Sequence, residues 1–116
     1  MPKVAMSEMP TITKNGGSRS AIKIDYAELK RAAGVLRAVN HKLRQQMLQL
    51  IEENGRLTVT EIFVRLRLEQ SVASQHLAIL RHANVVKTER DGKFIYYTLN
   101  VPRLDELASI VSELTR

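Results

Sequence analysis

A chain of 116 residues with 44% hydrophobic side chains has room for one hydrophobic core and not for two. The absence of cysteine excludes disulfides, thiolate metal sites and thiol redox switches. A net charge of +6 suits an anionic polymer, yet the same excess is common in proteins that merely repel one another, so its placement matters more than its size.

Residues 1–20 hold Pro2, Pro10, Gly16 and Gly17 and show no apolar period, which predicts a disordered leader. They also lack the apolar run of a signal peptide. No later segment reaches the length of a membrane span, so a soluble, cytoplasmic chain is the expectation. From residue 25 to about 39, Leu29, Ala33 and Leu36 recur at helical spacing, with Ala32, Val35 and Val39 widening the stripe. Asn40 and His41 interrupt it. A second helix follows from Leu43, Met47, Leu50 and Ile51, and Asn54-Gly55 is its stop signal.

Thr58 and Glu61 have capping-box spacing, so a short third helix should start near Val59 and bury Ile62, Phe63 and Leu66. The fourth helix, about Gln70–His82, places Ala73, Leu77 and Leu80 inward and leaves Ser71, Ser74, Gln75, Ala78 and His82 outward. The next stretch reads as a hairpin. Asp91-Gly92 is a strong two-residue turn signal, which would set Arg90 and Lys93 opposite each other at the tip. Two opposed cations suggest a phosphate partner. Tyr96 and Tyr97 alternate, so one should pack inward and the other outward.

The last segment repeats Leu104, Leu107, Ala108, Val111 and Leu114 at steps of three and four. Asn100 and Pro102 mark its start, and Asp105 and Glu106 are expected in the first turns, where the helix dipole favours acids. Its seam needs a cover. Either it pairs with helix one across a two-fold dimer, through Leu29, Leu36, Leu104, Leu107, Val111 and Leu114, or it packs onto its own core. The basic excess sits beside the fourth helix and the hairpin: residues 63–99 carry six Lys/Arg against three Asp/Glu, and residues 101–116 two against three.

The fold class is mainly α with a small β-hairpin, five helices plus a two-stranded wing over residues 21–116. Helix, helix, helix-turn-helix, wing, helix resembles the ArsR/SmtB family of winged helix-turn-helix repressors. N-H-K-L-R-Q-Q-M-L at residues 40–48 is similar to the family's S-H-P-L-R-x-R-I-L, with Lys42 in place of Pro. L-E-Q-S-V-A-S-Q-H-L-A-I-L-R-H-A-N-V-V at 68–86 resembles L-S-Q-P-T-V-S-x-H-L-x-x-L-x-x-A-G-L-V, and D-G-K-F-I-Y-Y-T-L at 91–99 resembles the wing pattern E-G-R-x-V-Y-Y-x-L.

The resemblance implies a homodimeric repressor that binds an inverted repeat in double-stranded DNA. It implies DNA contacts from Gln70, Ser71, Val72, Ser74, Gln75 and His76 on the recognition helix and from Arg90 and Lys93 on the wing. Gln can pair bidentately with adenine and Ser can serve base or phosphate, so these residue types suit the major groove. For His76, a phosphate or intramolecular hydrogen bond is expected before base readout.

Several family features are missing. Thr58 and Thr60 stand where metal-sensing members carry Cys-x-Cys, and residues 101–116 contain no His. Hydroxyls are poor ligands for soft metals, so no metal and no cofactor is expected. Glu69 replaces the Ser that commonly caps the recognition helix. His41, His76 and His82 lie on different elements without paired i, i+4 spacing, which favours surface or hydrogen-bonding roles over zinc. No motif places a nucleophile beside a base, so an enzyme is not expected. The rival reading is a winged-helix protein-interaction module without sequence-specific DNA binding.

Overall fold

A computed structural model of the chain describes residues 21–116. The leader expected over residues 1–20 lies outside the described residues. Contacts group residues 31–116 into one unit, and the described residues before Arg31 fall outside it. Among the latter, the Asp25 carboxylate accepts from the Ala27 and Glu28 amides at 3.0 and 3.2 Å and so starts the first helix.

The helices are α1 (Tyr26–Val39), α2 (Lys42–Asn54), α3 (Val59–Leu66), α4 (Gln70–His82) and α5 (Val101–Leu114). His41 separates α1 from α2 by accepting the Leu43 amide on its ring Nδ1 at 3.1 Å. Gly55, at φ +81°, ends α2 and returns its N–H to the Ile51 carbonyl. The capping box of α3 forms as the spacing predicts. The Thr58 hydroxyl accepts from the Glu61 amide, and the Glu61 carboxylate accepts from the Thr58 amide.

Arg67, left-handed at φ 56°, turns the chain from α3 into α4. Glu69, where the family commonly has Ser, occupies the N-cap of α4 without a side-chain capping bond, and the helix still starts at Gln70. On α4, Ala73, Leu77 and Leu80 are fully buried. With Met47, Ile51, Leu57, Ile62, Val85 and Val86 they make the core. Among the described residues, no helix is long and apolar enough to cross a membrane.

The wing is larger and differently registered than the sequence suggests. A two-residue strand β1 (Leu57–Thr58) joins β2 (Val86–Asp91) and β3 (Phe94–Leu99) in an antiparallel sheet of order β1-β3-β2. Two residues carry no period, so this third strand left no mark in the sequence. Asp91 pairs with Phe94 and Arg90 with Ile95, so the turn residues are Gly92 and Lys93, not Asp91 and Gly92. Gly92 alone of the two takes a positive φ, +64°, the pattern of a turn with Gly at its first central position. Arg90 and Lys93 therefore do not face each other, and the argument from opposed cations falls.

Helix α5 divides its seam. Leu104 and Leu107 pack against the core, whereas Ile110, Val111 and Leu114 are 50%, 46% and 72% exposed. Its first turn holds no acid, because Asp105 and Glu106 fall in the second. Asn100 does not cap it with its side chain. Its amide instead donates to the Asn84 carbonyl at 2.8 Å, tying the start of α5 to the turn after α4.

Candidate nucleic-acid interface

The outward face of α4 carries Gln70, Ser71, Ser74 and Gln75, all exposed and none hydrogen-bonded by its side chain to another described residue. They are held out because the opposite face, through Ala73, Leu77 and Leu80, is anchored in the core. Val72 is half-buried between the two faces. The arrangement is a helix anchored along one face and presenting amide and hydroxyl groups to solvent along the other.

His76 is set apart from that face. Half-buried, it receives a hydrogen bond from Arg44 Nη1 on its Nδ1 at 3.0 Å, and its ring centroid lies 4.8 Å from that of His41. Arg44 is 8% exposed, and its guanidinium also donates to the carbonyls of Ala38 and Arg37 at the end of α1. Those carbonyls form the negative end of the α1 dipole, which explains a buried cation with no carboxylate beside it. Sequence reasoning gave Arg44 no role. The signal was present, since Arg44 falls at i, i+3 and i+7 with Met47 and Ile51, on the buried stripe of α2.

Two of the three histidines thus converge, but the guanidinium occupies His76 Nδ1 and the Leu43 amide occupies His41 Nδ1. No group of three metal-ligating side chains occurs among the described residues. Because Arg44 can only donate, neutral His76 carries its proton on Nε2. Burial, then the neighbouring His41 and Arg44, lower its pKa from 6.5.

The unfolded chain therefore takes up a proton that the folded chain resists. The resulting stability, complete above about pH 6.5, is lost as the pH falls from there toward the lower folded-state value. Urea midpoints are expected to drop between about pH 7.5 and about pH 5.5, and His76→Gln should flatten that drop. An equal drop in the variant would assign the proton uptake to another group.

On the wing, cross-strand pairing puts Glu89 and Asp91 on one face of the sheet with Tyr96 and Phe94, and Arg90 on the other with Ile95 and Tyr97. Tyr97 packs against the core, so the two tyrosines divide as the alternation predicts. Arg56, from the link between α2 and β1, bonds Glu89 at 3.3 Å and Asp91 at 3.0 Å and stacks 3.9 Å above the Tyr96 ring. The Asp91 hydrogen bond above all raises the Arg56 pKa further, so the charge is permanent. Both wing acids are thereby answered within the chain, while Arg90 and Lys93 stay exposed and without an ion pair among the described residues. Sequence reasoning missed Arg56, whose partners lie 33 and 35 positions away.

The comparisons with known proteins agree with this geometry. A family profile described as "Bacterial regulatory protein, arsR family" matches residues 41–88, from the α2 cap into β2. The transcriptional repressor PagR of Bacillus anthracis is 33% identical over 92 residues, spanning 79% of this chain and 92% of PagR. Its crystal structure covers 75% of this chain and 99% of PagR with a TM-score of 0.61 at 32% identity. The transcriptional activator HlyU of Vibrio cholerae is 33% identical over 84 residues, 72% of this chain and 77% of HlyU. A homodimeric winged helix-turn-helix DNA-binding domain from Mycobacterium bovis, solved by NMR, has a TM-score of 0.63 at 28% identity over 81% of this chain and 91% of that one. With its helix-turn-helix and hairpin wing matched by regulators along most of its described length, the chain belongs to the ArsR family of DNA-binding transcriptional regulators, and not to a family of enzymes.

Proposed function

We propose that the protein is a homodimeric repressor that sets two copies of α4 into an inverted-repeat operator in double-stranded DNA, acting in the cytoplasm. The observation that carries this reading is the free amide and hydroxyl face of α4, fixed beside a wing whose acids are neutralised and whose cations are not. Gln70, Ser71, Ser74 and Gln75 supply base and phosphate contacts, with Val72 at their edge. Arg90 and Lys93 meet the flanking backbone. His76 acts from behind, holding α4 to α2 through Arg44. The sign of regulation follows PagR, the repressor matched over 79% of this chain.

The family's thiolate metal sites have no counterpart in this proposal. The chain has no cysteine, and the Thr58 hydroxyl is committed to the α3 cap. The dimer is supported by apolar residues left uncovered: Val111 borders a groove with Ala33 and Leu36, and Ile110 and Leu114 lie exposed near it in sequence.

Selection of preferred sequences by the purified protein, followed by binding measurements, tests the proposal. Gln75→Ala is expected to weaken the selected site more than random DNA, by roughly 1–3 kcal/mol of discrimination. Equal weakening on both would make Gln75 a backbone contact, and failure to select any sequence would favour an interaction module. For the wing, Arg90→Ala with Lys93→Ala should lower affinity on all DNA and flatten the dependence of log affinity on log salt by about 0.9 per lost phosphate contact. An unchanged slope would show that the tip stays clear of DNA.

A further inference from the structure

A cleft of about 700 Å³ opens between α1 and α4, within the size range of small-molecule sites. Its walls are apolar and small: Val35 and Ala38 from α1, Ala78 and Ile79 from α4. Ile79 is 40% exposed there, whereas Leu77 and Leu80 of the same helix are fully buried.

Gly34 also lines the cleft, in the interior of α1, where glycine weakens a helix relative to alanine. A Cβ built at Gly34 meets nothing within 4 Å, and its φ is not in the left-handed region, so the fold itself gives no reason for glycine there. The missing side chain leaves room for an occupant.

The polar side chains of the lining are nitrogen bases, a guanidinium and an imidazole. Arg31 and His82 border the cleft, no carboxylate does, and neither side chain has a hydrogen bond or ion pair among the described residues. A second copy of the chain is the weaker fit. At about 100° per residue, Arg31, Gly34, Val35 and Ala38 share one face of α1, while Ala33 and Leu36 point the other way. Those two line the separate groove with Val111.

We propose that this cleft binds a small amphipathic organic anion, its apolar body between Val35, Ala38, Ala78 and Ile79 and its acid group at Arg31 and His82. Ala78 and Ile79 lie one turn beyond Ser74 and Gln75 on the same helix, so an occupant that binds more tightly at another α1–α4 separation biases the helix that presents the DNA face. The binding half of the proposal stands on the cleft alone. The effect on DNA rests on the function proposed above.

Decanoate, with decanol as its neutral counterpart, is the probe. Amide resonances of the full chain should shift saturably at the cleft residues on titration with decanoate, and decanol should bind at least about tenfold more weakly. Gly34→Leu and Ala78→Leu, which fill the cleft from opposite walls, should each weaken decanoate by about tenfold or more while melting no lower than the parent, and Arg31→Gln should remove the preference for the anion. On the selected DNA, saturating decanoate should weaken binding by about fivefold or more in the parent and leave Gly34→Leu unaffected.

Absence of saturable binding, or decanoate binding unchanged in both filled variants, overturns the site. Equal affinity for decanol overturns the assignment of an anion, and a Gly34→Leu chain of altered mass in sedimentation overturns the small molecule in favour of a second copy. If the protein selects no DNA at all, the regulator reading fails by itself, and the amide titration still decides the cleft.

Discussion

Arg44→Leu is expected to lower stability by about 3 kcal/mol, since Arg44 is the buried charged side chain among the described residues. Leucine retains much of the apolar stem, so packing accounts for little of it. What is lost is a buried guanidinium that answers two carbonyls at the end of α1 and Nδ1 of His76. Leaving a buried acceptor unsatisfied costs about 1–3 kcal/mol, and three acceptors share this donor. For a domain near this size the melting temperature should fall by roughly 12–24 °C.

Arg44→Lys keeps the charge without the fork and should lie between the two. Adding His76→Phe to Arg44→Leu removes one orphaned acceptor and should recover part of the loss. Strict additivity of the two single changes would mean that Arg44 and His76 do not act as a pair.

Val111→Asp is expected to give a folded monomer where the parent sediments as a dimer. Val111 is 46% exposed within the chain, so the charge is tolerated there, but an unpaired carboxylate buried between two copies is heavily penalised. Each monomer then binds a single half-site, and loss of the linked second contact should lower affinity for a two-fold site by about 10²-fold or more. Leu107 is unsuitable for this test. It packs on its own core, so aspartate there reports folding instead of assembly. A parent protein that sediments as a monomer would refute the dimer and assign the exposed end of α5 to another partner.

What was legible in the sequence was local. The helix α4 was bounded correctly at Gln70–His82, because its apolar period is clean and its partner, the core, is fixed by Ala73, Leu77 and Leu80. The α3 capping box needed only residues three apart. The hairpin was located but misregistered by one residue. Asp-Gly is a favoured turn pair, yet here Asp91 stays in the ladder and reaches Arg56, a partner 35 positions earlier that no local pattern reveals.

The α5 seam shows the same limit. A period of three and four states that a face is apolar and not what covers it, and the structure gives the first half to the core and leaves the second half open. In the candidate interface, the exposed amides and hydroxyls followed directly from helical phase. The support behind them, Arg44 against His76 and Arg56 beneath the wing, depends on distant segments meeting.

Three consecutive residues between α2 and α3 serve both parts of the proposed interface. Arg56 clasps the wing acids, Leu57 pairs with Tyr97, and Thr58 pairs with Tyr96 while capping α3. Strand pairing and Arg56 thus tie the hairpin to the segment that opens the helix-turn-helix, so the chain itself sets the separation of wing and helix, like the two jaws of a caliper. A duplex that presents its groove and its flanking phosphates at another separation must deform to fit, so the strand spacing of a site, and not only its bases, enters what such a protein can recognise.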